Sequence, residues 1–231
     1  MNAPITLFHY WRSSSSVRVR WALAIKDVAF ESVHVDLLSG EQHGDEHVAR
    51  SPLGYVPAIR IGTQLLTESV AICELLDDLY PVMPLRPSEP FARARMRQMV
   101  EIVNSGTQPL QNLVAMRKVS SVTDEQRAWA RFWTARGLGA FEAVLARCHA
   151  EGISGSHCLG NGLTLADLFL VPQLANARRF QLDLTPYPLA LEKEASAVGT
   201  DSYAAARPEA WQPREETAGE RGAAPSPRPA R

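Results

Sequence analysis

Cysteine is scarce in this chain of 231 residues, which has three: Cys73, Cys148 and Cys158. A small, odd number of cysteines excludes a disulfide-stapled scaffold and favours a reducing compartment. No segment approaches the roughly 18 consecutive apolar residues that a membrane-spanning helix requires. The first residues also lack the basic and apolar stretches of a secretory signal. We therefore expect a cytoplasmic protein without a membrane partner.

The sequence also has no large excess of positive or of negative side chains. The 24 Lys and Arg residues oppose 25 Asp and Glu residues, so the formal net charge is −1. A nucleic-acid partner normally needs a basic surplus, and none is expected here. Glycine-rich nucleotide motifs are absent, and the cysteines and histidines follow no zinc-binding spacing, so we expect no metal site. What remains is a globular chain, 45% hydrophobic, long enough for a substantial core.

The first eighty residues combine strand and helix patterns. An apolar run is followed by an Ala-, Leu- and Arg-rich stretch and then by alternating apolar and polar residues. These segments are Ile5–Tyr10, Val17–Lys26 and Phe30–Leu37. The order strand, helix, strand with short connections predicts a right-handed crossover and parallel strand pairing.

A hairpin and a helix are predicted to complete this unit. Val56–Ile61 and Gln64–Thr67 are short apolar segments separated by Gly62-Thr63, a two-residue turn signal. Ser69 then opens a helix that ends before Pro81. We predict an α/β domain over residues 1–82.

Beyond this domain the strand patterns cease. A proline-marked segment, 83–90, is predicted to be a linker. Apolar residues at helical spacing then predict an all-α domain over 91–213. The last residues, 214–231, are rich in Glu, Arg, Ala and Pro and contain no large apolar side chain. This composition is typical of disorder.

The serine run Ser13–Ser16 is the most unusual local feature. It lies between the first strand and the first helix, where we expect its last hydroxyl, Ser16, to cap the helix. The carboxyl end of a strand leading into a helix N-terminus is also where α/β sheets bind anions. Val56-Pro57 and Glu68-Ser69 are loop segments expected at the same edge of the sheet. The three segments together predict a binding site for a thiolate, carboxylate or phosphate.

These segments resemble the glutathione transferase superfamily, most closely its zeta class, the maleylacetoacetate isomerases. The similarity extends over about residues 4–190. The resembling segments are Tyr10–Arg18, Val56-Pro57, Glu68–Ile72, Gln108–Asn112, Leu165–Asp167, Leu170–Gln173, Ala175–Phe180 and Asp183–Pro188. The resemblance implies an N-terminal thioredoxin-like domain that binds glutathione, followed by an all-α domain that shapes the substrate site.

Site residues follow from the resemblance position by position. Ser13 would donate a hydrogen bond to the glutathione sulfur and favour its thiolate, with Ser14 beside it as a second catalytic residue. Val56 would pair its backbone with the cysteinyl amide of glutathione, which requires Pro57 to be cis. The resemblance thus makes glutathione the cofactor.

Three further positions are implied to bind glutathione. Glu68 would hold the ammonium of the γ-glutamyl end, and Ser69 would hold its carboxylate at a helix start. Gln111, from the helical domain, would face the same site. Family members also associate as dimers, so a homodimer is expected.

The implied reaction is cis–trans isomerisation of maleylacetoacetate to fumarylacetoacetate, in tyrosine and phenylalanine catabolism. It proceeds by thiolate addition, rotation about the resulting single bond and elimination. Because this small-molecule substrate carries two carboxylates, we expect Arg12 and Arg179 to bind them, with Arg178 the weaker choice. Arg18 and Arg20 are expected to face solvent or stabilise the first helix.

Alternatives remain open at this stage. They are a maleylpyruvate isomerase, a zeta-class transferase acting on α-haloacids, and a noncatalytic assembly module of the same fold. Ser15 stands where the family usually has cysteine, and serine cannot form the mixed disulfide that reductive dehalogenation needs. Residues after Leu189 are unlike the family's usual final helices and support little functional inference.

Overall fold

The computed structural model describes residues 3–213, so the predicted tail over 214–231 lies outside the described residues. A four-stranded sheet forms the N-terminal unit, in the spatial order β2-β1-β3-β4. Its strands are β1 (Ile5–His9), β2 (Glu31–His34), β3 (Ala58–Ile61) and β4 (Gln64–Thr67). β1 pairs with β2 in parallel, and β3 is antiparallel to β1 and β4. The predicted parallel unit and hairpin are both confirmed.

Three α-helices accompany the sheet. They are α1 (Ser14–Ile25), α2 (Asp45–Val48) and α3 (Ser69–Leu79). The strand that follows the crossover helix, β2, is shorter than predicted because its hydrogen-bonded pairing with β1 ends at the pair His9–His34. The apolar face of the predicted segment is nevertheless correct, since Val35 packs with Phe8 in a small cluster on one side of the sheet.

α1 begins three residues earlier than predicted, with a different serine as its cap. Ser13 has extended backbone angles (φ −68°, ψ 123°), and its Oγ accepts a hydrogen bond from Ser16 N–H. The prediction that Ser16 is the capping residue is therefore wrong. Its hydroxyl instead accepts a hydrogen bond from Tyr10 N–H at 3.4 Å, which ties the helix start to the end of β1.

Every residue of α1 from Ser14 to Leu23 is buried, because the helix lies between neighbouring elements. It packs against α3 of the same unit, and two helices of the C-terminal part, α7 (Leu165–Arg179) and α9 (Asp201–Ala206), cover it further. The expectation that Arg18 and Arg20 face solvent is wrong: their exposed fractions are 0% and 1%. α1 thus carries two buried guanidinium groups.

The C-terminal part contains helices and no strand within the described residues. Its α-helices are α4 (Pro90–Asn104), α5 (Leu113–Val119), α6 (Thr123–Ala150), α7 (Leu165–Arg179), α8 (Pro188–Val198) and α9 (Asp201–Ala206). Gln108–Gln111 forms a short 3-10 helix between α4 and α5. Of the helices within residues 3–213, none is both long and apolar enough to cross a membrane.

α7 is the central helix of this part, and a capping box fixes its start. Asp167 accepts hydrogen bonds from the backbone N–H of Thr164 and, through its other oxygen, from that of Cys158. The region after Leu189, which the sequence left without functional inference, continues as α8 and α9, and α9 returns to pack on α1. One continuous core therefore extends from the sheet into the helical part.

Asp77, at the end of α3, holds the connection between the two parts. The segment 83–90 forms no helix or strand before Pro90, yet Leu85 within it is fully buried. Asp77 accepts hydrogen bonds from Leu85 N–H (2.8 Å), Lys26 Nζ (2.6 Å) and Arg86 Nε (2.8 Å). Burial opposes ionisation of Asp77, but these donors outweigh it and lower the pKa of the carboxyl.

We expect Asp77→Asn to lower the free energy of unfolding by about 3 kcal/mol near neutral pH, since it leaves the buried Lys26 ammonium without a carboxylate partner. Because the folded-state pKa is lowered, this contribution is present above the ordinary Asp pKa of about 4 and is lost as pH falls through the folded value. Denaturant unfolding across this pH range measures it. Asp78→Asn, whose carboxylate is exposed and also pairs with Arg86, is the control and should cost less than about 1 kcal/mol. Equal losses in the two variants would contradict this role of Asp77.

Candidate active site

A cavity of about 360 Å³ lies where the end of β1 and the start of α1 face the helical part. Its volume is within the roughly 300–1,000 Å³ of small-molecule sites. All the predicted site residues line it: Arg12, Ser13, Ser14, Val56, Pro57, Glu68, Ser69, Gln111 and Arg179. A more open depression of about 400 Å³ lies around Asp77 and Arg86, whose charges already pair with each other. We therefore take the first cavity as the candidate site.

Ser13 is placed to donate a hydrogen bond into this cavity. Its Oγ accepts from Ser16 N–H at 3.3 Å, so its own hydroxyl proton remains free to donate to a ligand. Ser13 N–H donates to Tyr10 O at 3.1 Å, which fixes the turn before the helix. Ser14 is buried in the first turn, where amide groups and the helix dipole favour negative charge. The hydroxyl and amide donors at this corner of the cavity would favour a bound anion.

Ser15 connects this corner to the helical part. Its Oγ accepts a hydrogen bond of 3.0 Å from Gln108 Nε2, which belongs to the 3-10 helix Gln108–Gln111. Sequence reasoning selected Gln111 from this segment and missed Gln108. The available signal was the resemblance of the whole segment, which does not say which glutamine reaches the serine run.

Gln111 lines the cavity, but its amide is committed mainly to the helical core. Its Nε2 donates to Gln173 Oε1 at 2.7 Å, and its Oε1 accepts from Thr134 Oγ1 at 2.7 Å. One amide N–H of Gln111 remains for another partner. These bonds hold the 3-10 helix in position beside the serine run.

The loop before β3 offers free backbone groups to the cavity. The Val56–Pro57 peptide bond is cis. Within residues 3–213, neither the N–H nor the C=O of Val56 has a hydrogen-bond partner. The preceding residue is held firmly, because Tyr55 N–H donates to Ser51 Oγ and Tyr55 O accepts from His47 Nε2. Val56 can therefore pair its backbone with an extended peptide.

Glu68 and Ser69 form a second corner of the cavity, where a carboxylate lies beside the start of a helix. Glu68 has φ +69°, in the left-handed region, a conformation that costs about 1–3 kcal/mol for a residue with a side chain. This turn leaves its carboxylate exposed at the cavity and starts α3 at Ser69. A carboxylate beside a helix N-terminus matches a ligand end that carries both an ammonium and a carboxylate.

A buried cation lies behind Ser69. Arg18 Nη1 donates to Ser69 Oγ at 3.2 Å, and the guanidinium carbon lies 3.9 Å from the centroid of the Phe169 ring. Burial lowers the pKa of Arg18 to about 9, so the group remains charged at neutral pH. Because Ser69 Oγ accepts from Arg18, its hydroxyl proton is available to a ligand carboxylate.

Among the guanidinium groups that face the cavity without a carboxylate partner in residues 3–213 are those of Arg12 and Arg179. Arg12 follows β1, and Arg179 lies in the last turn of α7, where its Nη1 donates to Asn176 Oδ1 at 3.1 Å. Burial, together with the charge of Arg12, lowers the pKa of Arg179. The neighbouring Arg178 is instead paired with Glu194 at 2.6 Å and does not line the cavity. Two unpaired cations near each other can bind a dicarboxylate.

Comparison with known proteins identifies the family. A family model described as "Glutathione S-transferase, N-terminal domain" matches residues 3–78. A Drosophila melanogaster protein named probable maleylacetoacetate isomerase 2 is 39% identical over 204 residues, which are 87% of each chain. A solved bacterial zeta-class maleylpyruvate isomerase superposes with a TM-score of 0.84 at 37% identity, covering 89% of this chain and 97% of that one.

The chain belongs to the zeta-class glutathione transferases, the family of maleylacetoacetate isomerases. A third relative is the maleylacetoacetate isomerase of Anaeromyxobacter dehalogenans 2CP-1. It superposes with a TM-score of 0.79 at 42% identity, covering 90% of this chain and 96% of that one. Its structure holds dicarboxyethyl glutathione and citrate in the active site.

Within this zeta-class cavity, several lining residues were not predicted from the sequence. They are Tyr10, Gln108, Asn112, Arg117, Asn176 and Phe180, among others. Five of these six lie in segments that carried the resemblance, whereas Arg117 lies outside them and adds a guanidinium without a carboxylate partner among the described residues. Only the folded chain shows which of their side chains turn toward the cavity.

Proposed function

We propose that this protein is a glutathione-dependent cis–trans isomerase that converts maleylacetoacetate to fumarylacetoacetate. One observation carries the proposal: an anion-stabilising helix N-terminus at Ser13 shares a cavity with Arg12 and Arg179, which have no carboxylate partner within residues 3–213. The first feature suits a thiolate and the second a dicarboxylate. Relatives named as isomerases of such substrates support the assignment.

The residues present fit glutathione from its thiol to its γ-glutamyl end. Ser13 would hold the sulfur, and the unpaired N–H and C=O of Val56 would pair with the cysteinyl amide. Ser69, with Arg18 behind it, would hold the γ-glutamyl carboxylate, while Glu68 would hold the ammonium. Ser14 would add a donor beside the sulfur, and Gln111 can contribute its remaining amide N–H.

Bound glutathione supplies the thiol that adds to the cis double bond of the substrate and leaves after rotation about the resulting single bond. The protein's part is to keep this thiol deprotonated and to fix the substrate. Ser13 donates to the sulfur, and the first turn of α1 favours its negative charge. Arg12 and Arg179 hold the two carboxylates and stabilise charge that develops during addition.

Maleylpyruvate is the second candidate substrate, because a maleylpyruvate isomerase is among the similar structures. It too is a dicarboxylate with a cis double bond, so the same arginines would bind it. The decisive assay follows the loss of each substrate with and without glutathione. Faster turnover of maleylpyruvate, as kcat/KM, would assign the shorter substrate instead.

Other activities are less well supported by the site. Ser15 cannot form the mixed disulfide required for reductive dehalogenation, and its hydroxyl is hydrogen-bonded to Gln108. A noncatalytic assembly module has no need for free donors at Ser13, Val56 and Ser69. A calorimetric titration with glutathione separates these classes, and a lack of detectable binding would contradict every enzyme assignment.

We also propose that the protein works as a homodimer in the cytoplasm, in tyrosine and phenylalanine catabolism. The thioredoxin-like domain would comprise residues 1–82, with a linker over 83–90 and the substrate-side domain over 91–213. Membership of the zeta class supports this organisation. Light scattering coupled to size-exclusion chromatography measures the oligomeric state, and a monomer at micromolar concentration would contradict the dimer.

Ser13→Ala should lower kcat by about 10- to 100-fold, because removing a preorganised donor raises the pKa of the bound thiol. Ser13→Thr keeps a hydroxyl that can both cap α1 and donate, and should restore most of the activity. Steady-state kinetics with saturating glutathione measures the effect. Full activity in Ser13→Ala would show that another group stabilises the thiolate.

Arg12→Ala and Arg179→Ala should each raise KM for the dicarboxylate by about 10- to 100-fold, since each loses a charge-assisted hydrogen bond to substrate. The matched control is Arg178→Ala, which removes the neighbouring guanidinium from its pair with Glu194. Its KM should stay near the wild-type value. An increase in Arg178→Ala as large as in Arg179→Ala would remove the support for direct substrate contact.

A further inference from the structure

Arg20 is a buried cation that the proposed mechanism does not use. Its side chain makes four hydrogen bonds, all to neutral acceptors. Nε donates to Ala206 O (3.0 Å), Nη2 to Trp11 O (2.9 Å), and Nη1 to both Tyr10 O (3.4 Å) and His9 Nδ1 (2.9 Å). No carboxylate within the described residues pairs with it. A buried guanidinium is costly, so an arrangement that uses four of its five N–H groups indicates a specific task.

His9 completes this network with a fixed polarity. Because a guanidinium can only donate, His9 Nδ1 must accept the hydrogen bond from Arg20. The proton of the neutral ring is therefore on Nε2, which donates to Ser32 Oγ at 2.8 Å. Burial, with the nearby charge of Arg20, lowers the pKa of His9 to about 3, so the ring is neutral at physiological pH.

Two of the acceptors belong to the loop that presents the catalytic residues. Trp11 O immediately precedes Arg12, and Tyr10 O also accepts the N–H of Ser13 at 3.1 Å. Arg20 thus fixes the peptide groups on which the orientation of Ser13 depends. Hydrogen bonds from a charged donor are the stronger ones, and Arg20 makes them to this loop without lining the cavity itself.

The other contacts of Arg20 come from the end of the described chain. Ala206 is the last residue of α9, and the ring centroid of Trp211 lies 5.6 Å from the Arg20 guanidinium carbon. Trp211 also meets His9 edge-on at 5.3 Å and stacks on Phe30 at 5.4 Å. Residues 206–211, which we call the C-terminal strap, therefore pack against Arg20, the end of β1 and the residue before β2.

We propose that Arg20 is a positioning residue that couples the C-terminal strap to the loop 10–13 and thereby sets the acidity of the glutathione thiol held by Ser13. The inference rests on the proposed function for its final step. The strap fixes Arg20, Arg20 fixes Tyr10 O and Trp11 O, and these carbonyls fix Ser13. A displacement of about 1 Å at a reacting group can cost about 10²-fold in rate, so this chain of contacts bears directly on catalysis.

Arg20→Lys tests the coupling, since it keeps the positive charge but loses the planar fork that reaches all the acceptors. We expect the pKa of enzyme-bound glutathione, read from the ultraviolet absorbance of the thiolate, to rise by about one unit, with kcat about tenfold lower and substrate KM within about twofold. A role in stability alone would lower the unfolding temperature without moving the thiolate pKa of the folded enzyme.

Trp211→Leu removes the aromatic contacts that the C-terminal strap makes with Arg20 and His9, and it leaves Arg20 itself in place. It should shift the thiolate pKa in the same direction by a smaller amount. Ser202→Ala is the matched control, because it removes another contact between α9 and α1, the 3.0 Å bond from Trp21 Nε1 to Ser202 Oγ. This control should leave the thiolate pKa unchanged.

Amide hydrogen exchange in the glutathione-free protein gives a readout that does not depend on the proposed function. The peptide spanning residues 10–14 should exchange at least about tenfold faster in Arg20→Lys and Trp211→Leu, and at the wild-type rate in Ser202→Ala. Wild-type protein that binds no glutathione would overturn the proposed function, while this exchange would still test the coupling.

Unchanged exchange and an unchanged thiolate pKa in the folded variants would overturn the role of Arg20. If Arg20→Lys does not fold, Trp211→Leu decides by the same two measurements.

Discussion

The hydrogen bond from Ser16 N–H to Ser13 Oγ is the interaction on which the site depends. It starts α1 at Ser14, and it occupies the acceptor side of the Ser13 oxygen so that the hydroxyl proton is left for a ligand. It also sets the position of every later residue of α1 relative to the sheet. Arg18 consequently reaches Ser69, and Arg20 reaches the backbone of Tyr10 and Trp11.

The burial of α1 explains how a chain with a net charge of −1 can contain a strongly cationic site. Arg18 and Arg20 are shielded from water by the helices around α1, and their partners are hydroxyl, carbonyl and imidazole groups rather than carboxylates. Placing charges in such surroundings costs stability. The hydrogen bonds that these cations donate offset part of that cost, and they hold groups that would bind glutathione. Arg12 and Arg179 stay free for a second anion.

The sequence predicts the elements well where a local pattern is decisive. A short apolar run predicts β1, alternation predicts β2, turn chemistry predicts the hairpin around Gly62-Thr63, and helical spacing predicts the all-α part. It could not predict which of four consecutive serines caps α1, because their intrinsic preferences are equal and the choice depends on Tyr10, a tertiary partner. The burial of Arg20 could not be predicted either, because helices that are distant in sequence cover it. Motif resemblance selected residues that all line the cavity, but only packing could select Gln108 as the partner of Ser15.

The central claim is that this cavity binds glutathione as its thiolate. The most direct measurement is the number of protons released on binding near neutral pH, from calorimetry in buffers of different ionisation enthalpy. A free thiol with a pKa of about 8.5 is mostly protonated under these conditions, so stabilisation of the thiolate must release its proton. The account predicts close to one proton released per glutathione bound and none with S-methylglutathione. Tight binding of glutathione without proton release would contradict it.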